Sequence, residues 1–294
     1  ATEDRRGAGH PASFQLGERE PESFCMKVLI VLTYYRPHIS GLTIYAERIA
    51  KALAKRGNQV TVLTSQFDPR LPLEEICEGV RVVRVPVLAR LSKGVIMPSL
   101  GRLASKLVKE HDVIQLHLPQ FDAAGVALRG RLHKKPTVIT YHCDLELPPG
   151  LFNRIANLAV LTMNDLAAVF THGIVTYTDD YASHSTFTRR HMQKVKIIPP
   201  PVVLPVISAD EKAAFRAVHN PKDQRPVIGM AARLATEKGV EVLLKALPEV
   251  LTHHPHALVQ FVGPYKNIIG EEQYFKRLEP ELREFEASGN WQFL

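Results

Sequence analysis

Cysteine is scarce in this chain: Cys25, Cys77 and Cys143 stand far apart, with no Cys-x-x-Cys pair. Neither a disulfide framework nor a zinc site can be built from them, and a reducing, cytoplasmic compartment is expected. Long apolar runs are missing as well. No window of the 294 residues approaches the ~18 uninterrupted apolar positions that a membrane-crossing helix needs. Internal repeats and low-complexity tracts are absent, and 45% hydrophobic with 23% charged residues excludes a disordered or fibrous chain. Also lacking are the Gly-x-Gly-x-x-Gly dinucleotide fingerprint and the Gly-x-x-x-x-Gly-Lys-Ser/Thr phosphate loop. Their absence argues against nicotinamide-dependent hydride transfer and P-loop NTP hydrolysis.

Negative charge is missing from one long stretch. Arg81, Arg84, Arg90, Lys93, Arg102, Lys106 and Lys109 fall between positions 81 and 109 without an acidic residue, concentrating the net charge of +7. Such a balance points to anionic partners. Aromatic–basic interleaving and nucleic-acid motifs are not found, so no nucleic acid is expected. Leu100, Leu103 and Leu107 share one helical face, roughly opposite Arg102, Lys106 and Lys109. The pattern suits a packed helix with a solvated basic face. The sharper alternative is peripheral docking of 81–109 on an anionic membrane surface, at the inner membrane face.

What is present is strand–helix alternation over a length suited to about two domains. Residues 1–25, charged and rich in Gly, Pro and Glu, read as a disordered leader, with Met26 as the natural start. Val28–Leu32 is a short apolar run of the kind buried on both faces of a parallel sheet. Ala46, Ile49, Ala50 and Leu53 then follow at helical spacing, Gly57 sits at a C-terminal cap, and Val60–Thr64 is the next strand. Further strands are expected at Val80–Val85, Val113–Leu116, Thr137–Tyr141, Ile174–Tyr177 and Lys196–Ile198. Residues 26–201 therefore form a first doubly wound, Rossmann-like α/β domain, and 202–225 a linker. Residues 226–294 form a second such domain: strands at Val227–Ala231, Leu258–Val262 and Trp291–Leu294, a helix from Val240 that Pro248 should kink, and a charged helix over Glu272–Glu286. It ends on a strand and is expected to be incomplete.

Ligands of open parallel sheets bind beyond the carboxyl ends of the strands. Two such loops stand out. In Gly229-Met-Ala-Ala-Arg233-Leu-Ala-Thr-Glu-Lys238-Gly239, a strand delivers Arg233, Thr236 is placed to cap a helix and Lys238 enters its first turn. Two cations beside a helix N-terminus suit an anion; the plainer reading is surface charge. In Tyr141-His142-Cys143-Asp144 the histidine can meet a sugar hydroxyl or shuttle a proton, or be merely structural. His117 and Asp112 flank a strand and read as structural, Asp179-Asp180 as a helix start, and His253-His254-Pro-His256 as a solvated loop.

These segments resemble glycosyltransferase family 4: retaining, nucleotide-sugar-dependent enzymes of the GT-B fold, with two Rossmann-like domains. Gly229 to Leu244 is similar to the family's Gly-(x)3-Arg-(x)4-Lys-Gly segment, Lys27–Thr64 to its opening, Thr140-Tyr-His142 to its histidine strand, and Val195–Pro201 to the inter-domain crossing. The resemblance implies that Arg233 and Lys238 hold the donor diphosphate and stabilise charge as the sugar–phosphate bond breaks, with His142 on the transferred sugar. It places Ser40, Gly41 and Gly263 in donor or acceptor binding. The donor would be a UDP- or GDP-linked sugar used as substrate. No cofactor or metal is implied, because two cations neutralise the diphosphate, and the acceptor would be a glycan or lipid-linked sugar. Departures are visible. Ser40 replaces one of two adjacent glycines, and Pro200-Pro201-Val202 stands where Pro-Asn-Gly is usual. The Glu-x7-Glu segment lies past Leu294; Glu241…Glu249 and Glu271…Glu279 match its spacing only by chance. A hexosyltransferase whose chain, ended at Leu294, is inactive is the expectation. A sugar-nucleotide epimerase or a phosphorylase on the same architecture is the alternative.

Overall fold

A computed structural model describes residues 25–91, 94–145, 150–202, 204–220, 225–266, 268 and 271–294. The leader read over 1–25 lies outside them except for Cys25, and so does Lys93. The chain divides into two compact units that part between Pro201 and Val202, except that Leu91 groups with the second.

In the first unit, β1 (Lys27–Val31) leads through α1 (Gly41–Lys55) to β2 (Gln59–Gln66). An edge pair, β3 (Glu74–Cys77) and β4 (Val80–Pro86), and a small hairpin, β5 (Ala89–Leu91) and β6 (Gly94–Ile96), follow. Next come α2 (Leu100–Glu110), β7 (Val113–Leu118), α3 (Ala123–Leu132), β8 (Thr137–Tyr141) and α4 (Leu151–Phe170). The unit closes with β9 (Gly173–Thr176), α5 (Asp179–His184), α6 (Thr186–Arg190) and β10 (Val195–Ile197). The sheet order is β10-β9-β8-β7-β1-β2-β4-β3, parallel except for β3 against β4. Helix α1 covers one face, over Val28, Ile30, Val60 and Val62. Helices α2, α3 and α4 cover the other, over Leu29, Val31, Leu116 and Ile139. The winding reverses between β1 and β7, which opens a crevice at the carboxyl ends of those strands.

The apolar runs of β1, β2, β7 and β8 become strands because each is flanked on both sides and buried on both faces. Gly57 follows α1 at φ +84°, a left-handed position that suits glycine. Leu100 and Leu107 are buried and Leu103 packs on the same core, so α2 keeps its apolar face for the protein. Arg84, counted from sequence with the basic stretch, is not available to an anionic partner: it is 2% exposed. Its guanidinium donates to the carbonyls of Pro72 and Arg36, each at 3.0 Å, and to the Glu75 carboxylate.

In the second unit, 202–225 holds a helix, α7 (Ala209–His219), started by a reciprocal capping box between Ser208 and Glu211. Then β11 (Val227–Ala231), α8 (Val240–His253), β12 (Leu258–Val262), α9 (Glu272–Ala287) and β13 (Trp291–Phe293) alternate, with a parallel sheet ordered β11-β12-β13. Its core joins Val240, Leu244 and Leu247 of α8 to Tyr274, Leu278 and Leu282 of α9 over Val259, Phe261 and Trp291. Helix α8 continues through Pro248.

Candidate functional site

Each unit gathers its candidate residues at the carboxyl edge of its own sheet. In the first, the loop after β1 is tied down at several points. Arg36 Nε donates to Glu47 Oε2 at 2.6 Å, and Arg84 holds the Arg36 carbonyl. Burial alone would raise the Glu47 carboxyl, but hydrogen bonds from Lys51 and Arg36 outweigh it and hold the group below the usual range. Ser40 is the N-cap of α1: its Oγ accepts from the Thr43 N–H at 3.1 Å. The hydroxyl that replaces a glycine is thus used locally. Beside Gly41 nothing lies within 4 Å of where a Cβ would stand, leaving that backbone approachable.

His142 follows β8 and is the centre of a cluster that its own sequence neighbourhood does not announce. Its Nε2 lies 2.8 Å from His117 Nδ1, its Nδ1 meets the Tyr177 hydroxyl, and the Tyr45 ring packs edge-on at 5.1 Å. Tyr45 also touches His117 and Tyr177. His117, read from sequence as structural, is therefore part of this group. The signal that could have found it is a histidine at the penultimate position of β7, with Tyr177 directly after β9: three strand ends on one edge. A phenol donates more readily than an imidazole N–H, so His142 Nδ1 accepts from Tyr177 and Nε2–H donates to His117. His117 Nε2, buried, then finds no partner among the described residues. Asp144 Oδ1 accepts from Tyr141 at 2.9 Å and from Ser185 at 2.8 Å, steadying the loop beyond His142.

Burial strips water from both imidazoles and keeps them neutral: His142 is lowered to about 4, and His117 falls well below its ordinary value, with His142 adding to the effect. An unfolded histidine titrates near ~6.5, so between these values the unfolded chain binds protons that the folded one refuses. The associated stability is present above pH ~6.5 and is lost as pH falls towards about 4. Thermal unfolding followed over that window should show a falling Tm, and His142→Gln should flatten the slope. An unchanged slope would assign the effect to other groups.

In the second unit, β11 carries the chain to Arg233. Ala232 N–H donates to the Val262 carbonyl at 3.0 Å and Leu234 N–H to the Pro264 carbonyl at 2.8 Å, so the exits of β11 and β12 are zipped together. Gly263 has φ +135°, and a Cβ there would stand 2.2 Å from the Ala232 carbonyl oxygen. Only glycine allows this approach. The expected cap at Thr236 is not what forms. Thr236–Lys238 makes a single 3-10 turn, and α8 starts after Gly239, whose φ of +62° breaks the helical path. Thr236 instead donates its N–H at 3.0 Å and its hydroxyl at 2.8 Å to Glu271. Lys238 thus precedes α8 and is exposed, its backbone N–H held by the Ala235 carbonyl at 2.8 Å. Arg233 pairs with Glu237, both about half in solvent. Among the described residues no cluster of three His, Cys, Asp or Glu side chains could hold a metal ion.

Residues 39–205 match Glycosyltransferase Family 4, and residues 211–294 match Glycosyl transferases group 1. The chain is 28% identical over 249 residues to an uncharacterized glycosyltransferase of Methanocaldococcus jannaschii, covering 80% of this chain and 62% of that protein. It is 26% identical over 238 residues to a GDP-mannose-dependent alpha-mannosyltransferase of Corynebacterium glutamicum, covering 74% of this chain and 54% of the relative. The chain thus spans under two thirds of the length of these relatives. Among solved structures it is similar to HepE of Anabaena in complex with UDP and glucose. There the TM-score is 0.64 at 21% identity, over 92% of this chain and 69% of that one, a likeness of fold.

Proposed function

The chain belongs to glycosyltransferase family 4 and has a GT-B-like α/β fold, and on that premise we propose that the protein moves a hexose from a UDP- or GDP-sugar to a glycan or lipid-linked acceptor, with retained anomeric configuration and without a metal. The observation that carries this reading is the exit of β11, where Gly263 holds the backbone close and Arg233 emerges five residues before an exposed Lys238. The two cations bind the donor diphosphate and offset the negative charge that grows on it as the sugar–phosphate bond breaks. His142, kept uncharged, meets the sugar as a hydrogen-bonding group, with Tyr177 as the partner a sugar hydroxyl exchanges with. Gly41 leaves room for the acceptor or donor at the first unit's sheet edge.

The intact protein incubated with UDP- and GDP-hexoses and a glycan or prenyl-phosphate-linked acceptor should release nucleoside diphosphate and form a new glycoside. Nuclear magnetic resonance of the product should show the donor's anomeric configuration, and activity should persist in EDTA. Donor isomerisation without transfer, or sugar release to free phosphate, would favour the epimerase or phosphorylase reading instead.

A further inference from the structure

Helix α4 shows solvent a face that a water-facing helix does not need. Leu151, Ile155, Leu158 and Val169 are 76%, 61%, 67% and 60% exposed, and Leu166 continues the same stripe. Their spacing of four, three, eight and three residues keeps them on one side of the 20-residue helix. From Leu151 to Asn164 the sequence has no acidic residue, and Arg154 is its one charge. Asp165 further along is turned to Arg190 at 2.6 Å and His191 at 2.9 Å. The stripe does not stand alone: α4 packs on α3 and α3 on α2, all on one face of the sheet. Helix α3 exposes Leu128 and Leu132, with Arg131 and Lys134 beside them, and α2 exposes Arg102, Lys106 and Lys109 against Glu110.

We propose that this three-helix face docks on an anionic lipid bilayer, α4 lying in the interface with its apolar stripe among the acyl chains and the basic residues of α2 and α3 over the headgroups. An apolar stripe fringed by lysine and arginine is the arrangement such a surface binds. No described helix is long and apolar enough to cross a membrane, so α4 lies on it. The fringe also weighs against a second copy of the chain as occupant, since a symmetric pairing would set like charges side by side. The docking element therefore differs from the one the 81–109 segment suggested, because α2 spends its leucines on the core. The crossover from β8 starts α4 at the sheet edge where His142 stands, so a lipid-linked acceptor would arrive beside it. That consequence rests on the glycosyltransferase reading; the docking does not.

Sedimentation of the chain with vesicles of phosphatidylcholine, with and without phosphatidylglycerol, tests it without donor or acceptor. Binding should require the anionic lipid and weaken with salt. Ile155→Ser with Leu158→Ser should lower it about tenfold or more while leaving the Tm in place, since both side chains are exposed. Equal partitioning to both vesicles, or unchanged binding by the double variant, would overturn the proposal. So would a dimer in ultracentrifugation that the same substitutions dissolve, which would give the face to a second copy.

Discussion

Alanine at Arg233 or at Lys238 in the intact protein is expected to lower kcat/KM by about 10²–10³-fold, roughly the 2.7–4 kcal/mol that a lost transition-state donor costs. The Arg233–Glu237 ion pair is the obvious objection, because a paired arginine is not an idle one. Magnitudes decide the point. Both side chains are about half in solvent, and a pair so exposed contributes only about 0–1 kcal/mol. A diphosphate brings more charge and a matching geometry, so it displaces Glu237 at small cost. Three variants separate the contributions. Arg233→Lys keeps the charge but loses the planar fork and should fall between alanine and wild type. Glu237→Gln removes the competitor and should lower KM for the donor without lowering kcat. The double alanine variant should lose less than the product of the single losses if both cations act on one group. Undiminished turnover in both single alanine variants would refute the assignment.

The largest loss of stability is expected at a residue with no part in that chemistry. Arg84→Ala removes a buried guanidinium that joins the loop before β3, the Glu75 carboxylate of β3 and the loop after β1. Three hydrogen bonds from a charged donor, and the space it fills, amount to about 3 kcal/mol, a drop in Tm of about 6–12 °C for a unit of this size. Arg81 is the internal control. It too sits on β4 and pairs with a glutamate, Glu74 at 2.7 Å, but both are in solvent, so Arg81→Ala should change stability by less than about 1 kcal/mol. Comparable shifts in the two variants would show that the Arg84 contacts do not hold the edge of the sheet. Because Arg84 also holds the Arg36 carbonyl, the variant should weaken whatever the Ser40–Gly41 turn binds as well.

Several elements are legible in the sequence itself. Thr137–Tyr141 and Leu258–Val262 stand as strands at the positions read from sequence, because a strand buried on both faces is an apolar run, and Val227–Ala231 stands as one too although it is the more exposed edge of its sheet. Helix α3 was not legible: its alanines and glycines are packed against neighbours, and Gly130 lies so near the sheet that a Cβ would stand 2.3 Å from Thr137 Oγ1. Such a helix shows no alternation of polar and apolar faces. Strand β3 was missed because an exposed edge strand of sequence Glu-Glu-Ile-Cys carries no apolar run to recognise.

What the amino-acid order determined by itself is everything that depends on near neighbours: the strand–helix alternation, the stop at Gly57, the motif from Gly229 to Gly239, and with it the family. What only the folded chain decided depends on residues that meet across the sheet. Tyr45, His117, His142 and Tyr177 come from α1 and from three separate strand ends, and no local pattern links them. The same division applies to charge. Composition counts Arg84 with Arg102 as equal cations, yet one is sealed beneath a loop and the other faces water, since burial is set by packing and not by residue type.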